Sequence, residues 1–223
     1  MYKNPYVKIK PKVKGPYTEV FLIRHCHPDY TKEKKLGERN MPLSKNGLEQ
    51  RKYLTKKLLT MKFDKVYTSE LTRARETAII YARKKNKEII IDERLNEIDW
   101  THWVRIKYFN MSEKTREKKL KHYRDLDRQL DKMQMTARRA LADIYKKNKG
   151  KRIALFSHGN FIKSLVTGIM NADVIGFLSL EIFQSSITKL VVDRDGYVKI
   201  SYINDVSHLP SPPDEDLFIT LID

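Results

Sequence analysis

Cysteine is almost absent from this chain: Cys26 is the single cysteine among 223 residues. No intrachain disulfide can form, and a lone thiol fits a reducing compartment. Long apolar runs are missing as well. No stretch approaches the roughly 18–20 apolar residues that a bilayer span requires. Met1 to Gly15 alternates lysine with Val, Tyr and Ile and builds no apolar signal core. These absences exclude a disulfide scaffold and give the expectation of a soluble, cytoplasmic protein with no membrane partner. Acids are scarce too, with 28 Asp and Glu against 45 Lys and Arg and a formal net charge of +17. A field of that sign concentrates anions, whether phosphorylated metabolites or nucleic acid, without choosing between them.

What is present is enough apolar residue, 40%, to bury a sizeable core. Val20 to Ile23 is a short apolar run that ends in Arg24 and His25. Its length and its β-branched and aromatic content predict a strand buried on both faces. A second run, Ile153 to Phe156, ends in Ser157, His158 and Gly159. In open α/β sheets ligands bind outside the carboxyl ends of such strands, so two strands can deliver two histidines to one place. Val66 to Thr68 and the isoleucine-rich stretch 88–92 read as further strands. Ser44 is placed to cap a helix through Leu48, Leu54 and Leu58, and Ser69 to open another through Ala82. Segment 110–149 reads as one long or two shorter helices, charged and mostly solvated, packed over the carboxyl edge. A helix from about Asn160 to Met170 follows the second histidine. Stretches 186–193 and 197–203, joined by Asp195-Gly196, predict a hairpin. The division expected is a basic arm at 1–17, one domain at 18–206 with a helical insertion or lid at 100–149, and a tail at 207–223.

The motifs, in order, are Leu22-Ile23-Arg24-His25, then Gly37 with Pro42-Leu43-Ser44, Gly47 and Gln50. Tyr67-Thr68-Ser69-Glu70-Leu71-Thr72-Arg73-Ala74 follows, then Leu95-Asn96-Glu97, Ser157-His158-Gly159 and Ser186-Ile187-Thr188-Lys189-Leu190. From about 19 to 204 this set resembles the histidine phosphatase (phosphoglycerate mutase-like) superfamily. The resemblance implies a three-layer α/β/α sandwich with a mainly parallel central sheet and a helical insertion. It also implies a metal-independent phosphatase acting on a phosphate monoester of a small molecule, with no cofactor. His25 would be the nucleophile and carry a phosphohistidine. Arg24 and Arg73 would clamp phosphate oxygens, Glu97 would act as general acid, and His158 would become a third cation beside the phosphate. Thr31 and Gly159 would complete the substrate contacts.

That chemistry suits the residue types. A neutral imidazole attacks phosphorus, a guanidinium fork matches phosphate oxygens, and the leaving oxygen needs a proton. The chain departs from the family pattern at Cys26, where the motif has glycine, and at His27, where many members have an acid. Cys26 is expected to pack as a small residue. No third ligand stands at a compelling spacing beside His25 and His27, which argues against a shared metal ion. The separation of 61 residues between Glu97 and His158 is short for a mutase insertion and favours a phosphatase. Trp100, His102, Trp103, Arg105, Lys107 and Tyr108 are candidate lid residues. Two alternatives stand: a phosphoglycerate mutase-type phosphoryl transferase, and a weakened module that binds a phosphorylated ligand or nucleic acid. Nothing in the residues decides the oligomeric state.

Overall fold

The computed structural model describes residues 15–100, 112–122 and 124–211. In chain order its elements begin with β1 (Thr18–Arg24), α1 (Glu33–Leu36), α2 (Lys45–Leu59), β2 (Lys65–Thr68), α3 (Thr72–Lys84) and β3 (Ile89–Ile91). They continue with α4 (Glu113–His122), α5 (Arg124–Lys147), β4 (Arg152–Ser157), α6 (Gly159–Ile169), α7 (Val174–Ser179), β5 (Ile187–Val192) and β6 (Val198–Asp205). The six strands form one sheet in the order β3-β2-β4-β1-β5-β6. The first four in that order run parallel, and the hairpin β5–β6 is antiparallel to β1. The expected mainly parallel sheet and closing hairpin are both found.

Alternation along the central strands divides the core. Val20 and Leu22 of β1, with Ile153 and Leu155 of β4, pack against α5 and α6. Their neighbours Phe21, Ile23, Ala154 and Phe156 face α2 and α3 on the other side. Strands buried on both faces need helices on both faces, and the three-layer sandwich follows. A smaller cluster joins Trp100, Leu130, Met133, Val174 and Phe177 beyond the end of the sheet helices.

Two expectations about helices are corrected. Segment 110–149 is mostly exposed among the residues whose burial is described, but it is not packed over the carboxyl edge. Helix α5 buries Leu130, Met133, Ala137, Ala140, Leu141 and Ile144 along one stripe, at helical spacing. It lies on a face of the sheet, not over its carboxyl edge, and its alanines let it sit close to α6. The charged residues between those positions face outward and hide the stripe from a composition count. Second, Ser69 does not cap α3. The helix begins only at Thr72, its N-cap position is Leu71 with no side-chain cap, and Ser69 Oγ accepts from the Leu71 N–H at 3.3 Å. Ser44 does cap α2, accepting a hydrogen bond from the Gly47 N–H at 3.0 Å. The candidate lid residues from His102 to Tyr108, most of the basic arm and the end of the tail lie outside the described residues.

The start of α2 is pressed against the chain just after β1. Ser44 N–H donates to the His27 carbonyl at 3.0 Å, and His27 N–H donates to Gln50 Oε1 at 2.8 Å. A Cβ on Gly47 would stand 2.0 Å from the His27 carbonyl oxygen, which is backbone and has nowhere to go. Gly47→Ala is therefore expected to destabilise the fold by about 2–3 kcal/mol, as overpacking against backbone does. A thermal unfolding curve checks it, and an unchanged midpoint would contradict the contact.

Candidate active site

The parallel ladder between β1 and β4 sets Arg24 opposite Ser157. One residue further on, His25 N–H donates to the Ser157 carbonyl at 2.9 Å. The rings of His25 and His158 consequently lie 4.9 Å apart, centroid to centroid. Both residues are buried. The backbone of His25 is held on its other side as well, its carbonyl accepting from Ser185 N–H at 3.1 Å. Ser185 is in the left-handed region, φ 69°, which turns the chain so that its N–H reaches that carbonyl.

His25 has an assignable tautomer. Its Nδ1 lies 2.7 Å from the Cys26 carbonyl oxygen, which can only accept. Nδ1 therefore carries the proton, and Nε2 presents a lone pair. Arg73 Nε–H donates to that Nε2 at 3.3 Å. Burial, helped by the cations Arg24 and Arg73, holds the His25 pKa well below the ordinary histidine value, so the imidazole is neutral at pH 7. His158 is lowered too, first by burial and then by His25 and the two arginines. Its Nε2 shares a hydrogen bond of 2.7 Å with Ser69 Oγ, which is where Ser69 is used. His158 Nδ1 is buried with no hydrogen-bond partner among the described residues.

The arginines are held by groups the sequence did not advertise. Arg73, in the first turn of α3, donates to the Glu38 carbonyl and to Glu38 Oε1, both at 2.8 Å. Arg24 donates through Nη1 to the Ile182 carbonyl, and the same nitrogen lies 3.8 Å from Glu181 Oε1. The Arg24 Nε is buried with no hydrogen-bond partner among the described residues. Gly159 explains how Arg24 fits: a Cβ there would sit 3.2 Å from both Cζ and Nε of the guanidinium. The glycine is a shelf for the arginine.

Glu97 is tied to the start of α6. Its Oε1 accepts from the N–H groups of Ile98, Asn160 and Phe161, at 3.1, 3.0 and 3.3 Å. Those amides would ordinarily favour a carboxylate. Burial nevertheless dominates and raises the Glu97 pKa, against the opposing field of Arg24. A cavity of about 220 Å³ adjoins it, lined by Glu38, Arg39, Glu70, Asn96, Glu97 and Asp99. A larger one, about 470 Å³, lies between α3 and β3 and is lined by residues such as Thr72, Ile79 and Ile91, with no histidine. The smaller cavity is the one that touches the chemistry.

Of the residues picked out by sequence, Arg24, His25, Arg73, Glu97, His158 and Gly159 belong to one cluster. Thr31 does not join it through any hydrogen bond. It is exposed and gives its hydroxyl to Asp29 Oδ1 at 2.6 Å. At the α6 start, the amides of Asn160 and Phe161 are used by Glu97. Ser69, Glu38, Glu181 and Asn160 were missed. Only Ser69 and Asn160 had a signal, lying within or beside a matched motif.

Cys26 turns away from the phosphate side. It is fully buried among Ile23, Leu43 and Ala78, and its pKa is pushed up to about 12 by burial. Its backbone N–H donates to Thr77 Oγ1 at 3.1 Å. The thiolate is the reactive form, so this cysteine is inert. The native protein is expected to resist a thiol reagent at pH 8 and to react fully once unfolded in urea. Gly159→Ala is expected to weaken inorganic phosphate binding by about tenfold by displacing the Arg24 fork. Isothermal titration measures it, and unchanged affinity would remove the shelf role.

Comparison with known proteins agrees with this geometry. A sequence model described as the histidine phosphatase superfamily (branch 1) matches residues 20–205. A probable phosphoglycerate mutase of Enterobacter sp. (strain 638) is 24% identical over 211 residues, covering 89% of this chain and 98% of that one. A phosphoglycerate mutase-like protein of Arabidopsis thaliana is 32% identical over 161 residues, covering 67% of this chain and 70% of that one. Among solved structures, a phosphoserine phosphatase mutant from Entamoeba histolytica in complex with phosphoserine superposes with a TM-score of 0.66. It is 24% identical, over 86% of this chain and 99% of that chain. With the family model spanning nearly the whole sandwich and its motif residues meeting at one point, the chain belongs to the histidine phosphatase superfamily, branch 1.

Proposed function

We propose that the protein is a metal-independent phosphatase that hydrolyses a small-molecule phosphate monoester through a phosphohistidine on His25. The observation that carries this is the state of His25: neutral, with its proton fixed on Nδ1 and its lone pair on Nε2 among two arginines. As the phosphate enters, its oxygens take over the guanidinium of Arg73 from the 3.3 Å contact with Nε2, and Arg24 grips from the other side. The Nε2 lone pair attacks phosphorus, and the bond from phosphorus to the alcohol oxygen breaks. Glu97, whose pKa burial raises, gives a proton to that oxygen. The dianion also draws a proton onto His158, whose lowered pKa otherwise keeps it neutral. Glu97, now a carboxylate, takes a proton from water as the water attacks phosphorus. The bond to Nε2 breaks, inorganic phosphate leaves, and Glu97 is protonated again.

The phosphatase reading is preferred to the mutase one because α5 is committed to the sandwich. That leaves little of the chain between Glu97 and His158 to enclose a retained bisphosphate. The related phosphoserine phosphatase of Entamoeba histolytica, seen with phosphoserine and with 3-phosphoglyceric acid, supports a small acidic ester as the substrate type. No helix among the described residues is long and apolar enough to cross a membrane. A nucleic-acid role for the net charge predicts a steep loss of oligonucleotide binding with salt, and a flat response argues against it.

The direct test is hydrolysis of p-nitrophenyl phosphate in EDTA, with activity expected in the wild type and only background in His25→Ala. An inert wild type across phosphoserine and sugar phosphates as well would sink the proposal. Glu97→Gln is expected to slow an alkyl phosphate by about 10²–10⁴-fold while sparing the nitrophenyl ester, whose phenolate leaves unaided. The pH profile has a definite sign. His25 must be unprotonated, so activity rises with pH through a limb below the ordinary histidine value of about 6.5. Glu97 must be protonated, so activity falls at a limb above the ordinary glutamate value of about 4.3. Loss of the falling limb in Glu97→Gln identifies it; its persistence assigns the acid elsewhere.

A further inference from the structure

Lys163 is a buried cation that the reaction sequence above does not use. It is 4% exposed, on α6. Among the described residues no carboxylate lies within salt-bridge distance of its Nζ, and that atom makes no hydrogen bond. Its one close partner is aromatic: Nζ stands 4.6 Å from the centre of the Phe177 ring, which in turn packs on Trp100 at 5.0 Å. Enclosing a lysine to this extent disfavours its charge, and a methionine would fill the same volume without that cost.

Where the charge acts follows from the helix. Lys163 is four residues beyond Gly159, so the two share one face of α6 a single turn apart. Gly159 is the shelf under the Arg24 guanidinium. Lys163 accordingly lies on the Arg24 side of the helix, where Glu181 and Glu97 favour its charge and Arg24 opposes it. Burial lowers its pKa, and the two carboxylates resist that shift. Glu181 is the group shared between the two cations: it stands 3.8 Å from Arg24 Nη1, near enough to attract and too far for a hydrogen bond.

We propose that Lys163 is a positioning residue which shares Glu181 with Arg24 and so keeps the Arg24 fork free to hold phosphate. Without the ammonium, the whole field of Glu181 falls on Arg24. The carboxylate then closes to a direct ion pair and draws the guanidinium off the Gly159 shelf. Lys163 also links Arg24, through Phe177 and Trp100, to the chain that follows Glu97. The proposal rests on the reading that Arg24 grips the phosphate of the substrate.

Lys163→Met and Lys163→Arg test it, with binding of inorganic phosphate and of orthovanadate measured by calorimetry beside KM, kcat and the unfolding midpoint. In Lys163→Met both anions are expected to bind about tenfold more weakly and KM to rise in step, the scale of losing one well-placed charged hydrogen bond. The value of kcat at saturation should change much less. Lys163→Arg, which keeps the cation, is expected to restore most of the affinity. Wild-type affinity in Lys163→Met overturns the proposal. Equal losses in both variants that track their loss of stability also overturn it, since packing alone then explains the position. Anion binding is read without turnover. If no ester is hydrolysed but Lys163→Met still loses phosphate affinity, the phosphatase reading falls and the positioning role stands. A wild type that binds neither anion overturns both.

Discussion

The parallel ladder between β1 and β4 carries the site. It places Arg24 against Ser157 and brings the chain after each strand out at the same edge, so that His25 and His158 become ring neighbours. Both strands are buried on both faces, and a slip of one residue would exchange Val20 and Leu22 with Phe21 and Ile23 between two differently shaped cores. Register is thus set by packing over the whole sandwich. Helix α6 starts where β4 ends, and its first turn binds Glu97 through two backbone amides. Arg24, His25, His158 and Glu97 all inherit their places from one strand pair.

Charge within the site is balanced pairwise, and the balance is looser at Arg24 than at Arg73. Arg73 has Glu38, and Arg24 has Glu181 at a longer distance. Neither histidine is charged at pH 7, because burial lowers both. On the proposed reading, an incoming phosphate dianion meets two arginines whose partners are already placed, and His158 takes a proton as that dianion arrives. The net charge of +17 adds a broad attraction for anions at long range. The local arrangement decides what the attraction is used for.

Much of this was readable in the sequence because the informative patterns are local. An apolar run ending in Arg24-His25, another ending in Ser157-His158-Gly159, and the serine cap at Ser44 each fall within a few residues. Glu38 and Glu181 were invisible for the opposite reason: they reach the arginines from distant loops with no spacing rule to mark them. Ser69 was misread since a serine just before a helix is usually a cap, and here a buried imidazole claims its hydroxyl. The burial of α5 was hidden by the charged residues on its outer face. Cys26, where the family motif has glycine, packs into the core as a small residue, as expected.

The backbone of His25 is secured at both ends, through Ser157 and Ser185, and its imidazole is secured through the Cys26 carbonyl. A residue fastened at three points leaves its ring little room to swing. On the proposed reading, one of the two atoms reacting in a displacement at phosphorus must then do the travelling, and it is phosphorus. The entropic cost of aligning the imidazole is met when the chain folds, before any substrate arrives. Turnover on that reading depends on how far the arginines can carry a phosphoryl group toward a stationary nitrogen.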